Sequence, residues 1–191
     1  MDQEEVLRIM KETGALLEGH FELRSKLHSD RFFQCANVLR YPRRAQVLCE
    51  ELARRMRAQL GQGGFADTVI SPAMGGLAVG HEIARALDLG AIFAEKQDGK
   101  LVMRRFVIRK GERFIVAEDV VTRGGRVQET IDIVEAAGGV VTCVVFLVDR
   151  SAGAAVFKYP TFSLLQLAPA TYEPTDCPMC RKGIPMLHPG S

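Results

Sequence analysis

The 191-residue chain is 47% hydrophobic and sets 25 Lys and Arg against 23 Asp and Glu, a formal charge of +2. That length and apolar content suit one domain with a sizeable core, and the near-neutral balance, without a Lys/Arg block, argues against a nucleic-acid surface. No run approaches the length of a membrane span, the start MDQEEVLRIMKETG is acidic rather than signal-like, and Cys35, Cys49 and Cys143 sit singly in amphipathic or apolar stretches. Buried reduced thiols follow, so the expectation is a cytoplasmic protein with no membrane or nucleic-acid partner.

Val6, Ile9, Met10, Thr13, Leu16 and Leu17 recur at helical spacing and predict an opening amphipathic helix. The stretch from Gly19 to Phe33, GHFELRSKLHSDRFF, is rich in cations and aromatics. Its alternation is too broken for an ordinary strand pair, and by its residues alone it reads as an exposed loop capped by a Phe pair packing into the core. Pro42 opens a helix with Leu48, Leu52, Met56 and Leu60 along one stripe. Thr68-Val69-Ile70 reads as a strand running into Ser71-Pro72-Ala73-Met74-Gly75-Gly76, with a helix from Gly76 to Leu87 behind it. Ala91 to Ala94 is another short strand, ending at Glu95-Lys96. The charged, weakly alternating QDGKLVMRRFVIR then reads as a flexible hairpin.

Phe114 to Ala117 is an apolar run long enough for a buried strand and too short for a core helix, with Glu118 and Asp119 at its carboxyl end. After Val120 and Val121 comes Thr122-Arg123-Gly124-Gly125-Arg126. An amphipathic helix follows, with Val127, Ile131 and Val134 on one face, stopped by Gly138-Gly139. A strand, an acidic pair, a hydroxyl-glycine turn and a helix N-terminus describe an anion cradle, in which backbone N–H groups and the helix dipole attract a phosphate. The acidic pair can hold ribose hydroxyls or a metal-bound sugar beside it. Val140 to Val148 is a β-branched run suited to a buried strand, ending at Asp149-Arg150, and Phe162 to Leu167 reads as the last strand. In the tail, Cys177-Pro178-Met179-Cys180 is half a zinc site, whose completion would need His188, another cysteine or the same pair from a partner subunit. Alternating strands and helices imply an α/β fold with a mostly parallel sheet.

From Phe114 to Gly125 the chain resembles the motif with which type I phosphoribosyltransferases bind phosphoribosyl pyrophosphate (PRPP): four apolar residues, two acidic, two apolar, a Ser/Thr and a Gly-containing loop. Arg123 and Arg126 stand where small or hydroxyl residues are usual. Gly19, Phe21, Leu23, Arg24, Ser25 and Ser29 are similar to the G-x-F-x-L-[KRT]-S-G-x-x-S stretch of orotate phosphoribosyltransferases, with Lys26 in place of a glycine. The resemblance covers Gly19 to about Leu167. It implies a type I fold, a mostly parallel sheet flanked by helices with a small N-terminal hood. One domain would span 1–170, with the hood from about 1–40, and 171–191 would be an extension carrying the C-x-x-C.

The activity implied is transfer of phosphoribosyl from PRPP to orotate in pyrimidine synthesis, with magnesium held mainly by PRPP, in a homodimer with shared active sites. PRPP contacts are implied for Glu118, Asp119, Val120, Val121, Thr122, Arg123, Gly124, Gly125 and Arg126. Backbone of Met74 and Gly75 would meet pyrophosphate, with Lys96 and Lys100 on a closing lid. Lys96 and Asp119 are the catalytic candidates, and Arg24, Phe32, Phe33, Thr122 and Arg150 the orotate contacts. Two alternatives stay open: a phosphoribosyltransferase for another base, and a PRPP-binding regulator without catalysis. The Arg24, Phe32, Phe33 and Arg150 constellation weighs against the first, and the lack of a basic patch or helix-turn-helix pattern against the second.

Overall fold

In the computed structural model, which describes residues 1–23 and 25–188, helix α1 (Gln3–Glu12) is capped by Asp2, whose carboxylate accepts a 2.8 Å hydrogen bond from the Glu5 N–H. The helix stops earlier than the apolar spacing predicts. Gly14, at φ +70°, takes the left-handed conformation that ends helices, and it turns Leu16 and Leu17 into strand β1 (Leu16–Glu22). Strand β2 (His28–Phe33) pairs antiparallel with β1, so the stretch expected to be an exposed loop is a strand pair. The register slips by one residue between Glu18 and Phe21, and this bulge is what breaks the alternation.

Helix α2 (Ala36–Leu39) and helix α3 (Pro42–Leu60) follow, the latter with Pro42 in its first turn and Leu48, Leu52 and Met56 fully buried. The main sheet is built from β3 (Thr68–Pro72), β4 (Gly90–Gln97), β5 (Lys100–Val102), β6 (Arg113–Val121), β7 (Val140–Asp149) and β8 (Thr161–Gln166), with helix α4 (Gly75–Leu87) after β3 and α5 (Gly125–Ala136) after β6. Its order is β5-β4-β3-β6-β7-β8, parallel except for the β4–β5 hairpin. Strand β6 does not end before the acidic pair. Glu118 pairs with Phe146 and Val120 with Val148, so the carboxylates lie within the strand's last turn of pleat.

Side chains of β6 and β7 alternate between two apolar layers, which is why both strands read as unbroken apolar runs. Ile115, Ala117, Cys143, Val145 and Leu147 join the core under α1, α3 and α4. Phe114, Val116, Val144 and Phe146 pack instead against Val127, Ile131 and Val134 of α5. The connection from β3 through α4 leads to β4 on one side, while that from β6 through α5 leads to β7 on the other. The strand order therefore reverses between β3 and β6, and a crevice at their carboxyl ends is where α/β sheets bind ligands.

The C-terminal residues form β9 (Thr171–Tyr172), a 3-10 turn (Pro174–Asp176), α6 (Pro178–Arg181) and β10 (Met186–Leu187). Strand β9 adds to β2 and β10 adds to β1, giving a four-stranded hood sheet in the order β10-β1-β2-β9. Both edges of the hood thus come from the tail. No helix among the described residues is long and apolar enough to cross a membrane.

Candidate active site

Gly124 is the N-cap of α5 at φ 76°, ψ 0°, and no side chain caps the helix there. A Cβ at this position would stand 2.9 Å from the Phe157 ring, so conformation and space both demand glycine. The first-turn N–H groups are left pointing into a cavity of about 510 Å³ lined by Glu118 to Val127 together with Gly99 and Glu129. Donors without side-chain partners at a helix N-terminus, opening on a cavity of this size, suit a phosphate.

The acidic pair forms the floor of that cavity. Glu118 is 8% exposed, and its Oε1 accepts a 3.0 Å hydrogen bond from the Asp119 N–H, while Asp119 Oδ1 accepts one of 2.8 Å from Val120. Burial, and then the neighbouring Asp119 charge, hold the Glu118 carboxyl far above the usual carboxylate range, and burial raises Asp119 as well. Two adjacent carboxyls out of water do not ionise together at neutral pH, so the pair retains a proton. Helix α4 closes on them through two glycines. A Cβ on Gly75 would lie 3.0 Å from Asp119 Oδ1, and one on Gly76 would lie 2.8 Å from Glu118 Oε1. The β3–α4 loop therefore packs against the acidic pair of the β6–α5 cradle, while Met74, 84% exposed, and Gly75 are not among the residues that line the cavity.

Opposite the cradle stands the β4–β5 hairpin, turned through Asp98 and Gly99 at positive φ. Glu129 fixes its place: one carboxylate oxygen accepts a 2.5 Å bond from the Leu101 N–H, while the other meets Arg126 at 2.7 Å. The flexible hairpin expected from sequence is thus tethered to α5. Glu129 had no functional role in the sequence; its i,i+3 spacing to Arg126 signals an ion pair but not the contact with the hairpin. Lys96 and Lys100 are exposed on this hairpin, without an ion pair among the described residues. Neither lines the cavity, although Gly99 between them does. Thr122 and Arg123 are exposed on the cradle turn.

Arg150 is not among the residues that line the cavity but is bonded to Val121, which is. Its backbone N–H bonds the Val121 carbonyl at 2.8 Å, and its guanidinium lies over the Phe33 ring, 5.7 Å from the centroid. Burial presses its pKa down, and Nε is buried with no hydrogen-bond partner among the described residues. A half-buried guanidinium whose Nε is an unused, buried donor is a seat for an anion. The aspartate of the same pair turns away, accepting a bond from the Ser151 N–H. Phe33 meets Arg150, whereas Phe32 packs on Phe21 with centroids 5.8 Å apart. Arg24 lies outside the described residues.

Comparison with known proteins agrees with this geometry. The phosphoribosyl transferase domain model matches residues 37–178. The chain is 47% identical over 192 residues to the orotate phosphoribosyltransferase of Desulforamulus reducens, covering 100% of this chain and 98% of that protein. It is 48% identical over 193 residues to that of Heliobacterium modesticaldum, covering 100% and 99%. Among solved structures, Mycobacterium tuberculosis orotate phosphoribosyltransferase in complex with Fe(III) dicitrate superposes with a TM-score of 0.71 at 24% identity, over 88% of this chain and 98% of that one, and shares the fold. With its crevice at the β3–β6 switch point, its glycine cradle and these full-length matches, the chain belongs to the phosphoribosyltransferase family, among the orotate phosphoribosyltransferases.

Proposed function

We propose that this chain transfers the phosphoribosyl group of PRPP to a ring nitrogen of orotate, releasing pyrophosphate and forming orotidine monophosphate. The observation that carries the choice of base is Arg150: a half-buried cation with an unused, buried donor, lying over Phe33 and tied by its backbone to the strand that ends in the cradle. A flat ring bearing a carboxylate matches a cation beside an aromatic face, and uracil or a purine offers no such anion.

The chemistry asks for placement and charge rather than a nucleophile. The bond from the ribose anomeric carbon to pyrophosphate breaks with its electron pair leaving on pyrophosphate. The deprotonated ring nitrogen of orotate then supplies the pair for the new bond, with an oxocarbenium-like ribose between. N–H groups of Thr122 to Gly125 hold the terminal phosphate of the sugar, and Glu118 and Asp119 accept from its hydroxyls. The Met74–Gly75 backbone faces the leaving pyrophosphate, toward which Lys96 and Lys100 close from the hairpin.

Magnesium fits the same crevice, because Glu118 and Asp119 present hard carboxylate oxygens beside the cavity where a chelated PRPP would lie. When bound it neutralises charge gathering on the departing pyrophosphate. A homodimer belongs to the proposal too. Lys96 and Lys100, exposed and unpaired among the described residues, would reach a neighbouring subunit's crevice. The proposed compartment is the cytoplasm, supported by five free cysteines, four of them buried.

The test mixes the protein with magnesium, PRPP and orotate and follows loss of orotate absorbance, with uracil and hypoxanthine as competing bases. Turnover of orotate alone supports the assignment. Preferential turnover of hypoxanthine, or PRPP binding without turnover of any base, overturns it.

A further inference from the structure

The hood carries a second cluster of reactive side chains, apart from the crevice. Strands β1 and β2 bring His20 and His28 face to edge, with His20 Nε2 3.0 Å from His28 Nδ1. The bulge between Glu18 and Phe21 contains His20, the kind of irregularity that re-aims a side chain. From the tail, Cys177 Sγ comes to 3.6 Å from His20 Nε2. Cys180 Sγ lies 3.6 Å from the same nitrogen and 3.3 Å from His28 Nδ1. All four candidate ligand atoms lie within 4.8 Å of one another. His20, His28 and Cys177 are buried and Cys180 is exposed, so the cluster has an entry from solvent.

The protonation pattern says what these atoms face. His20 Nδ1 lies 2.8 Å from the Ile184 carbonyl oxygen, which can only accept, so the neutral ring carries its hydrogen there and presents a bare lone pair at Nε2. Three atoms crowd that one lone pair. A single hydrogen bond from His28 would satisfy one of them and leave two sulfurs turned inward without purpose, whereas a cation at their centre uses all four. Tetrahedral zinc, with Zn–N of about 2.0–2.1 Å and Zn–S of about 2.3 Å, sets its ligand atoms about 3.3–3.8 Å apart. The observed separations of 3.0, 3.3 and 3.6 Å approach that scale. A His ring held by a backbone carbonyl through its other nitrogen is also the usual support of a metal ligand.

We propose that His20, His28, Cys177 and Cys180 form a structural zinc site that staples the C-terminal tail to the hood. On binding, the two thiols release their protons to solvent, and two thiolates then balance the dication. Four protein ligands leave no open position, which fits structure rather than catalysis. The C-x-x-C is completed within the same chain by two histidines at the other end of the sequence, not by His188 or a partner's cysteines. The staple matters because β9 and β10 are two residues each, too short to hold the hood edges unaided. Zinc would therefore stiffen the sheet that carries Phe33 to Arg150. This inference does not depend on which base the crevice accepts.

The test is metal analysis of the full-length protein purified under reducing conditions. One zinc per chain is expected, and cobalt substitution should give the visible bands of a tetrahedral thiolate site. Cys180→Ser and His28→Gln should each lose the metal, while His188→Ala keeps it. Because a ligand variant can fail to fold, the intact protein is also stripped with a chelator and followed by hydrogen exchange. Residues 171–187 and strands β1 and β2 should then exchange roughly tenfold faster or more, with β6 and β7 unchanged. No bound zinc, half an ion per chain, zinc retained by Cys180→Ser, or a Cys177–Cys180 disulfide in its place would each overturn the proposal.

Discussion

Gly76 lies so close to Glu118 that a Cβ there would stand 2.8 Å from Oε1, and 2.9 Å from the Ala117 carbonyl. One obstacle is backbone, so rotation of the Glu118 side chain cannot relieve the clash. Gly76→Ala should therefore displace α4 from β6, costing about 1–3 kcal/mol of stability, and should weaken PRPP binding because the acidic pair moves. Gly63→Ala, where nothing lies within 4 Å, is the control. Urea unfolding and PRPP titration check both; equal behaviour of the two variants would show that the close approach is not needed.

The acidic pair should couple PRPP binding to protons. Burial keeps a proton on Glu118 to higher pH than its ordinary 4.5, and hydroxyl donors favour the ionised form. PRPP binding near neutral pH should thus release a proton, seen by calorimetry in buffers of different ionisation enthalpy. The same group acts on the free protein. Above pH 4.5 the unfolded chain ionises Glu118 while the folded chain does not, so the folded state binds more protons and its stability falls as pH rises through that window. Glu118→Gln combined with Asp119→Asn should abolish the proton release, flatten that slope and weaken PRPP binding. Unchanged PRPP affinity would mean that the ribose lies elsewhere.

The crevice was legible because its signals are local. Phe114 to Gly125 places strand, carboxylates and glycine turn within a dozen residues, and each reports on its own neighbours. Strand ends were not legible in the same way. Val120 and Val121 stay in the sheet because Val148 and Asp149 lie beside them, which no local pattern states. The β1–β2 pair was hidden by a one-residue bulge that destroys the period-two pattern on which strand recognition depends. His20 and Cys177 stand 157 positions apart, so spacing carried no hint of their meeting. Arg150 was legible only by resemblance to the Asp-Arg pair of orotate phosphoribosyltransferases, since two residues at a strand's carboxyl end are weak alone, and its contact with Phe33 needed the hood.

Lys96 should act on the transition state. It is exposed on a hairpin whose tip reaches the cavity through Gly99, so in the proposed reaction it would meet pyrophosphate only on closure. Lys96→Ala should lower kcat by roughly 10²-fold while changing KM little. If the hairpin serves a partner's crevice, mixing Lys96→Ala with the Glu118→Gln, Asp119→Asn protein should restore part of the activity. No recovery, with subunit exchange demonstrated, would place each hairpin over its own crevice.

Arg150 should decide which base is accepted. Its backbone N–H is held by the Val121 carbonyl and its guanidinium lies over Phe33, while Nε still has no partner among the described residues. A hydrogen bond between a cation and a carboxylate is worth about 1.5–3 kcal/mol, or roughly ten- to a hundredfold in affinity. Arg150→Ala should raise the KM for orotate by about that factor and leave PRPP affinity nearly unchanged, because the cradle is made of backbone from Thr122 to Gly125. Arg150→Lys tests the geometry, since a point charge without the planar fork should recover only part of the loss. An equal loss of PRPP affinity would instead make Arg150 a prop for β6 and β7. In that case the backbone bond to Val121, which both variants retain, could not be its whole contribution to the crevice.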